Sequence, residues 1–130
     1  MKRSVLVVDD EQAIVDSLSE LLHAAGFGVR IARDGSAAVN EVKRHAPDLI
    51  LSDVAMPQLN GFQMCRQLKS DPQTSEVPIL LMSQKAEPAD RYWAEQVGAL
   101  ALLPKPIEAR RLVEEVTMAL EKTGRGRRKS

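Results

Sequence analysis

Apolar residues recur along the chain in five short runs: SVLVV at 4–8, GVRIA at 28–32, DLILS at 48–52, VPILLMS at 77–83 and ALALL at 99–103. Each run has the length of a β-strand. Several are apolar on successive residues, the pattern of strands covered on both faces, as in a parallel sheet. Between them the apolar positions fall at helical spacing. Ile14, Leu18, Leu21, Leu22 and Ala25 share one helix face, closed by Gly26. Ile107, Val113, Val116 and Leu120 predict the stripe of a last helix, with Glu108 in its first turn facing the positive end of the helix dipole. Asp34 and Asn60 suit the N-caps of the second and third helices, and Pro88 suits the first turn of the fourth.

Strands that alternate with helices require right-handed crossovers, so the pattern predicts a doubly wound α/β domain with a five-stranded parallel sheet. At 130 residues the chain has room for one such domain and not two. A composition of 44% hydrophobic and 28% charged residues is globular and excludes a collagen-like repeat or a disordered polyelectrolyte. The four apolar residues Val5–Val8 are too few for a signal-peptide core. No apolar stretch approaches the ~18 residues a membrane span needs. The single cysteine, Cys65, has no partner for a disulfide, so a cytoplasmic location is expected. Cys65 is expected on the inner face of the third helix with Phe62 and Leu68, and Met56, Met64, Met82 and Met118 are expected to fill the core.

Formal charge is zero overall, but residues 122–130 hold five cations and no acid, leaving 13 basic against 18 acidic residues over 1–121. The reading is therefore a domain at 1–121 followed by a basic, disordered tail at 122–130. The acidic body predicts no direct affinity for nucleic acid.

In an open α/β sheet ligands bind beyond the carboxyl ends of the strands, and the residues there are unusually polar. The first strand runs into Asp9 and Asp10, the third into Asp53, the fourth into Ser83, and the fifth into Lys105. Alone, each has a plainer reading as a helix cap, turn former, loop hydroxyl or surface charge. Capping does not account for their joint appearance at four strand ends. Three converging carboxylates repel one another unless a cation joins them, and hard oxygen ligands suit Mg²⁺. Mg²⁺ uses one or two carboxylates, which leaves Asp53 as the candidate nucleophile toward phosphorus. Lys105 would supply a point charge for phosphoryl oxygens, and the Ser83 hydroxyl a hydrogen bond that depends on the phosphate.

These residues resemble the receiver domains of bacterial two-component response regulators. The resemblance covers residues 3–121 and rests on the acidic pair Asp9-Asp10, the acceptor segment DVAMPQLNG beginning at Asp53, Ser83, and Lys105-Pro106. It implies a flavodoxin-like sheet of order 2-1-3-4-5 and a Mg²⁺ site made by Asp10, Asp53 and the backbone carbonyl of Ala55, with Asp9 assisting. It also implies a cis Lys105-Pro106 bond and a phosphoryl donor that is a histidine kinase or phosphotransfer protein. The expected output is phosphorylation-controlled binding of a downstream protein by the face of the fourth helix, fifth strand and fifth helix, with a phosphorylation-dependent dimer left open.

The chain departs from the family pattern at Leu102, where receivers usually carry Tyr or Phe, and at Gln84, where a small residue is usual. Tyr92 and Trp93 on the fourth helix are therefore candidate switch or output residues beside Ser83 and Leu102. The segments SDPQTSEVP and ADRYWAEQVGA resemble receivers of chemotaxis-like and type IV pilus motility pathways. The expectation is a stand-alone receiver that turns over no external substrate. Its rivals are a phosphorylation-independent receiver-like interaction protein and a phosphohydrolase. The latter is disfavoured because Ala55, not an acid, stands two residues beyond Asp53.

Overall fold

The computed structural model describes residues 2–123. Strands and helices alternate strictly: β1 (Ser4–Val8), α1 (Gln12–Ala24), β2 (Gly28–Ala32), α2 (Gly35–Arg44), β3 (Leu49–Asp53), α3 (Gly61–Ser70), β4 (Ile79–Ser83), α4 (Pro88–Gln96), β5 (Ala101–Pro104) and α5 (Ala109–Thr123). The five strands pair in parallel in the order β2-β1-β3-β4-β5, so the doubly wound sheet and its order are as expected. The Lys105-Pro106 bond is cis.

The strands' near-continuous apolar runs are explained by layers on both faces. Leu6, Val8, Ile50, Ile79, Leu81 and Leu102 pack with residues of α2, α3 and α4. Their alternate neighbours Val5, Val7, Leu49, Leu51, Leu80 and Met82 pack with α1 and α5. β2 differs: as an edge strand it leaves Ile31 48% exposed.

The helix ends follow the expected residues. Asp34 Oδ1 accepts the Ala37 amide at 2.7 Å, and Asn60 forms a reciprocal capping box with Gln63 at 2.8 Å in each direction. Pro88 opens α4. α1 closes at Gly26, whose φ of 95° is the left-handed conformation that a side chain disfavours. There the Gly26 amide bonds His23 O at 3.0 Å and the Phe27 amide bonds Leu22 O at 3.0 Å. α4 closes in the same way at Gly98.

Three expectations need correction. Ile107 and Glu108 precede α5, which begins at Ala109. Its buried stripe is Leu112, Val116, Ala119 and Leu120, while Val113 is only half-buried. The offset arises because the chain must first turn past Pro106 before the helix can start. Met118 is 55% exposed at the open edge beside β5 and is not part of the core. Ala25, beyond the last turn of α1, is exposed. α5 runs through residues 122–123, and the remainder of the basic segment lies outside the described residues.

The polar segment between α3 and β4 is fastened from within. Lys69 Nζ donates to Ser75 O at 3.1 Å and Val77 O at 2.8 Å, and the buried Thr74 hydroxyl donates to Leu68 O at 2.6 Å. Burial holds the Lys69 ammonium below the usual lysine range.

Cys65 is buried in the α3 layer as expected, its Sγ donating to Val97 O at 3.2 Å. Burial pushes its thiol up to about 11, with the nearby Lys69 pulling the other way. At pH 8 the native thiol is thus both covered and protonated. Alkylation there is expected to proceed only as fast as the protein opens; a native-state rate near that of a free thiol would contradict this packing.

Candidate phosphoryl-acceptor site

Register brings the polar residues together. Val8 is paired with Ala32 on one side and Ser52 on the other, Asp53 with Met82, and Ser83 with Pro104. Four of the strands therefore end level, and the residue that follows or finishes each one faces the same crevice. Backbone bonds extend the alignment past the strands: Asp9 N to Ala32 O at 3.2 Å, Val54 N to Met82 O at 2.9 Å, and Lys105 N to Ser83 O at 2.9 Å.

The crevice holds about 360 Å³ and is lined by Asp10, Asp53, Ala55, Ser83, Gln84 and Lys105 among others. Asp9 and Asp53 are buried at 0% and 6% exposure, whereas Asp10 is exposed. Lys105 Nζ lies 3.1 Å from Asp9 Oδ2 and 3.3 Å from Asp53 Oδ1, with only 7% of its side chain exposed. Asp9 Oδ1 also accepts the Glu11 amide at 3.0 Å, so part of the plain helix-start reading of the acidic pair holds as well.

Burial holds the Asp53 carboxyl above the usual carboxylate range, and Asp9 pushes in the same direction. The Lys105 ammonium and the Ala55 amide oppose them without cancelling the rise. At Lys105 burial works against the charge, but Asp53 and Asp9 together outweigh it and hold the ammonium above the usual lysine range.

One carboxylate oxygen from each of Asp9, Asp10 and Asp53 can be chosen so that all lie within 4.8 Å of one another. Lys105 contacts only two of the three, and among the described residues no ion pair reaches the Asp10 carboxylate. An all-oxygen set carrying more negative charge than its single lysine offsets fits a hard divalent cation. Asp10, Asp53 and Asp9 are the side chains that would hold it, with the Ala55 carbonyl at the same crevice.

The Ser83 hydroxyl oxygen accepts the Lys85 and Ala86 amides, each at 3.3 Å, in a tight turn where Ala86 has a φ of 49°. Its own proton stays free to donate toward the crevice. Leu102 is 5% exposed, packed in the α4-side core with Ala86 and Ala99 against the same cluster. Tyr92 and Trp93 lie elsewhere. They are 54% and 47% exposed on α4, their rings edge-to-face at 5.4 Å, and Trp93 lines a groove with Phe62.

Gly61 escaped the sequence reading. A Cβ there would fall 2.5 Å from Asp53 O and 2.9 Å from Val54 Cα, so only glycine lets α3 start against the Asp53–Val54 backbone. The Asn-Gly pair before an apolar helix was the available signal. Ser52, buried beside it, donates its hydroxyl to Asp53 O at 2.9 Å and was likewise unmarked.

Residues 5–117 match the family described as the response regulator receiver domain. Protein PilH of Pseudomonas aeruginosa is 34% identical over 116 residues, spanning 89% of this chain and 96% of that protein. The chain spans about half the length of several other curated relatives that it matches. Among solved structures, chemotaxis protein CheY4 of Vibrio cholerae is similar with a TM-score of 0.87 at 30% identity, covering 92% of this chain and 99% of that one. The receiver domain of sensor histidine kinase PA1611 from P. aeruginosa, which has a magnesium ion coordinated in its active-site cleft, gives a TM-score of 0.86 at 26% identity. That match covers 93% of this chain and 99% of that one.

The raised Asp53 pKa makes a prediction for the metal-free protein. The neutral carboxyl's stabilising contribution is complete below the ordinary aspartate value of 3.8 and is lost as pH rises through the higher folded value. In chelator, Asp53→Asn is therefore expected to be more stable than the wild type at pH 7, with the difference closing toward pH 3. Denaturant midpoints at the two pH values check this; a less stable Asp53→Asn at pH 7 would show that Lys105 outweighs burial.

Proposed function

The chain belongs to the response regulator receiver domain family, and from that membership we propose that it is a phospho-acceptor switch in two-component signalling, with Asp53 as the acceptor. The observation that carries this reading is the buried Lys105 ammonium set 3.3 Å from Asp53 Oδ1, inside a crevice with three gathered carboxylates.

In the proposed reaction a carboxylate oxygen of Asp53 attacks the phosphorus of a phosphohistidine on a histidine kinase or phosphotransfer protein. The new O–P bond forms as the P–N bond breaks, and the leaving imidazole nitrogen keeps the electron pair and takes up a proton. Lys105, already against Asp53, stays beside the charge that builds on the phosphoryl oxygens. Ser83 donates its free hydroxyl proton to one of them. Asp10, Asp53 and Asp9, with the Ala55 carbonyl, would hold Mg²⁺, which would supply further neutralisation of phosphoryl charge.

The product is a protein whose Ser83 turn has a new hydrogen-bond partner, and the output is binding of a downstream protein rather than turnover of an external substrate. Because Leu102 is aliphatic and enclosed, the proposed readout runs through the backbone turn at 83–86 and not through an aromatic side chain at 102. The resemblance of the 70–78 and 89–99 segments to motility-pathway receivers, together with similarity to PilH, supports a chemotaxis-like or pilus pathway. A cytoplasmic site of action is part of the same proposal; among the described residues no helix is long and apolar enough to cross a membrane.

Intact mass after incubation with a small phosphodonor, with and without Mg²⁺, tests the reading. A single phosphoryl adduct is expected that needs Mg²⁺ and is lost in Asp53→Asn. No adduct in a folded wild type, with a kinase also tried, would instead favour the phosphorylation-independent interaction protein.

A further inference from the structure

The β1–α1 loop carries Asp10, the exposed carboxylate of the cluster, and its own side-chain anchor is the Glu11 amide on Asp9 Oδ1 at 3.0 Å. Glu11 is the N-cap of α1, yet its side chain makes no capping hydrogen bond. A residue from another loop supplies a further anchor of a different kind. Arg33 follows β2 directly, and its guanidinium reaches across: Nη2 donates to Asp10 O at 3.3 Å and Nη1 donates to Gln12 Oε1 at 2.6 Å. Gln12 Nε2 in turn donates to Asp16 Oδ1 at 2.7 Å, one turn further along α1. One planar fork thus bridges both sides of Glu11 and ties them to the first turn of the helix, a geometry that a lysine point charge cannot reproduce.

We propose that Arg33 is a positioning residue that sets the conformation of residues 10–12 and thereby raises the affinity of the acidic crevice for Mg²⁺. The proposal rests on the reading of that crevice as the Mg²⁺ site. Two effects of Arg33 oppose each other. Its positive charge near the site disfavours a second cation, and by charge alone its removal would tighten Mg²⁺ binding. Its bonds hold the Asp10 main chain, and by positioning alone removal would weaken binding, as loss of residues that orient metal ligands does. Charge and hydrogen bonds are both solvent-exposed, but the charge is screened over distance while the bonds act directly on the liganding segment, so positioning wins.

Calorimetric Mg²⁺ titration of the full chain reads the sign. Arg33→Ala is expected to weaken binding on the order of tenfold. Arg33→Lys, which keeps the charge, should fail to restore it, and Gln12→Ala should weaken binding with no further loss when combined with Arg33→Ala. Unchanged or tighter binding in Arg33→Ala overturns the proposal. Amide hydrogen exchange in metal-free protein gives a reading that does not depend on the ion. Arg33→Ala should speed exchange at the first turn of α1 while leaving β3 and β4 unchanged, and unaltered exchange there overturns the clamp. Failure of the Mg²⁺ site itself would show separately, as equal or absent Mg²⁺ binding in wild type and Asp53→Asn; the exchange data then decide on Arg33 by themselves.

Discussion

Burying the Asp9 and Asp53 carboxylates at the end of a dry sheet is costly, and Lys105 makes it tolerable. Its Nζ sits 3.1 Å from one and 3.3 Å from the other, nearly as buried as they are. Taking any of the three charges from water is unfavourable alone, and removing Lys105 would leave both buried carboxylates uncompensated. The compensation is incomplete, since one ammonium faces three carboxylates and does not reach Asp10. A site left with surplus negative charge favours a small hard cation, and a buried ammonium beside Asp53 favours an anionic group arriving there. The surplus negative charge thus points to the cation, and the buried ammonium to the proposed phosphoryl group.

The rest of the fold holds these charges in place. Parallel pairing ends four strands level, so residues up to about a hundred positions apart in sequence meet at one crevice. The strands cannot slip, because their alternate residues belong to two separate cores, and a shift by one residue would exchange every buried side chain between them. Gly61 lets α3 start against the Asp53–Val54 backbone, and the Asn60–Gln63 capping box fixes where it starts. Every residue of β3, up to and including Asp53, is buried. The Ser83 turn and the Asp10 loop are held by exposed or half-buried hydrogen bonds, which suits the parts expected to respond to a bound phosphate or ion.

The architecture and the central residues of the site were readable from the chain because each leaves a local mark. Apolar runs of strand length alternated with helical stripes, and Asp34, Asn60 and Gly26 marked helix ends through bonds made within a few residues. Asp9, Asp53, Ser83 and Lys105 were found because parallel topology turns position in the chain into position at a strand end. The failures were equally physical. Met118 was assigned to the core on composition, but which face of α5 is buried depends on its rotation against the sheet, and a stripe drawn from Ile107 began before the helix did. Tyr92 and Trp93 could be placed on α4 from sequence, but not on its outer surface.

What the sequence determined by itself was the order of elements, the sheet's parallel character and the chemistry available at its carboxyl edge, since these follow from periodicity and residue type. Only the tertiary structure decided how the charges are shared. Lys105 reaches Asp9 and Asp53 but not Asp10, Gly61 faces the Asp53 carbonyl with no room for a side chain, and Arg33 crosses from the β2 end to hold the Asp10 loop. Those facts depend on distances between segments far apart in the chain. They are set by sheet register and helix packing, which no local pattern of residues encodes.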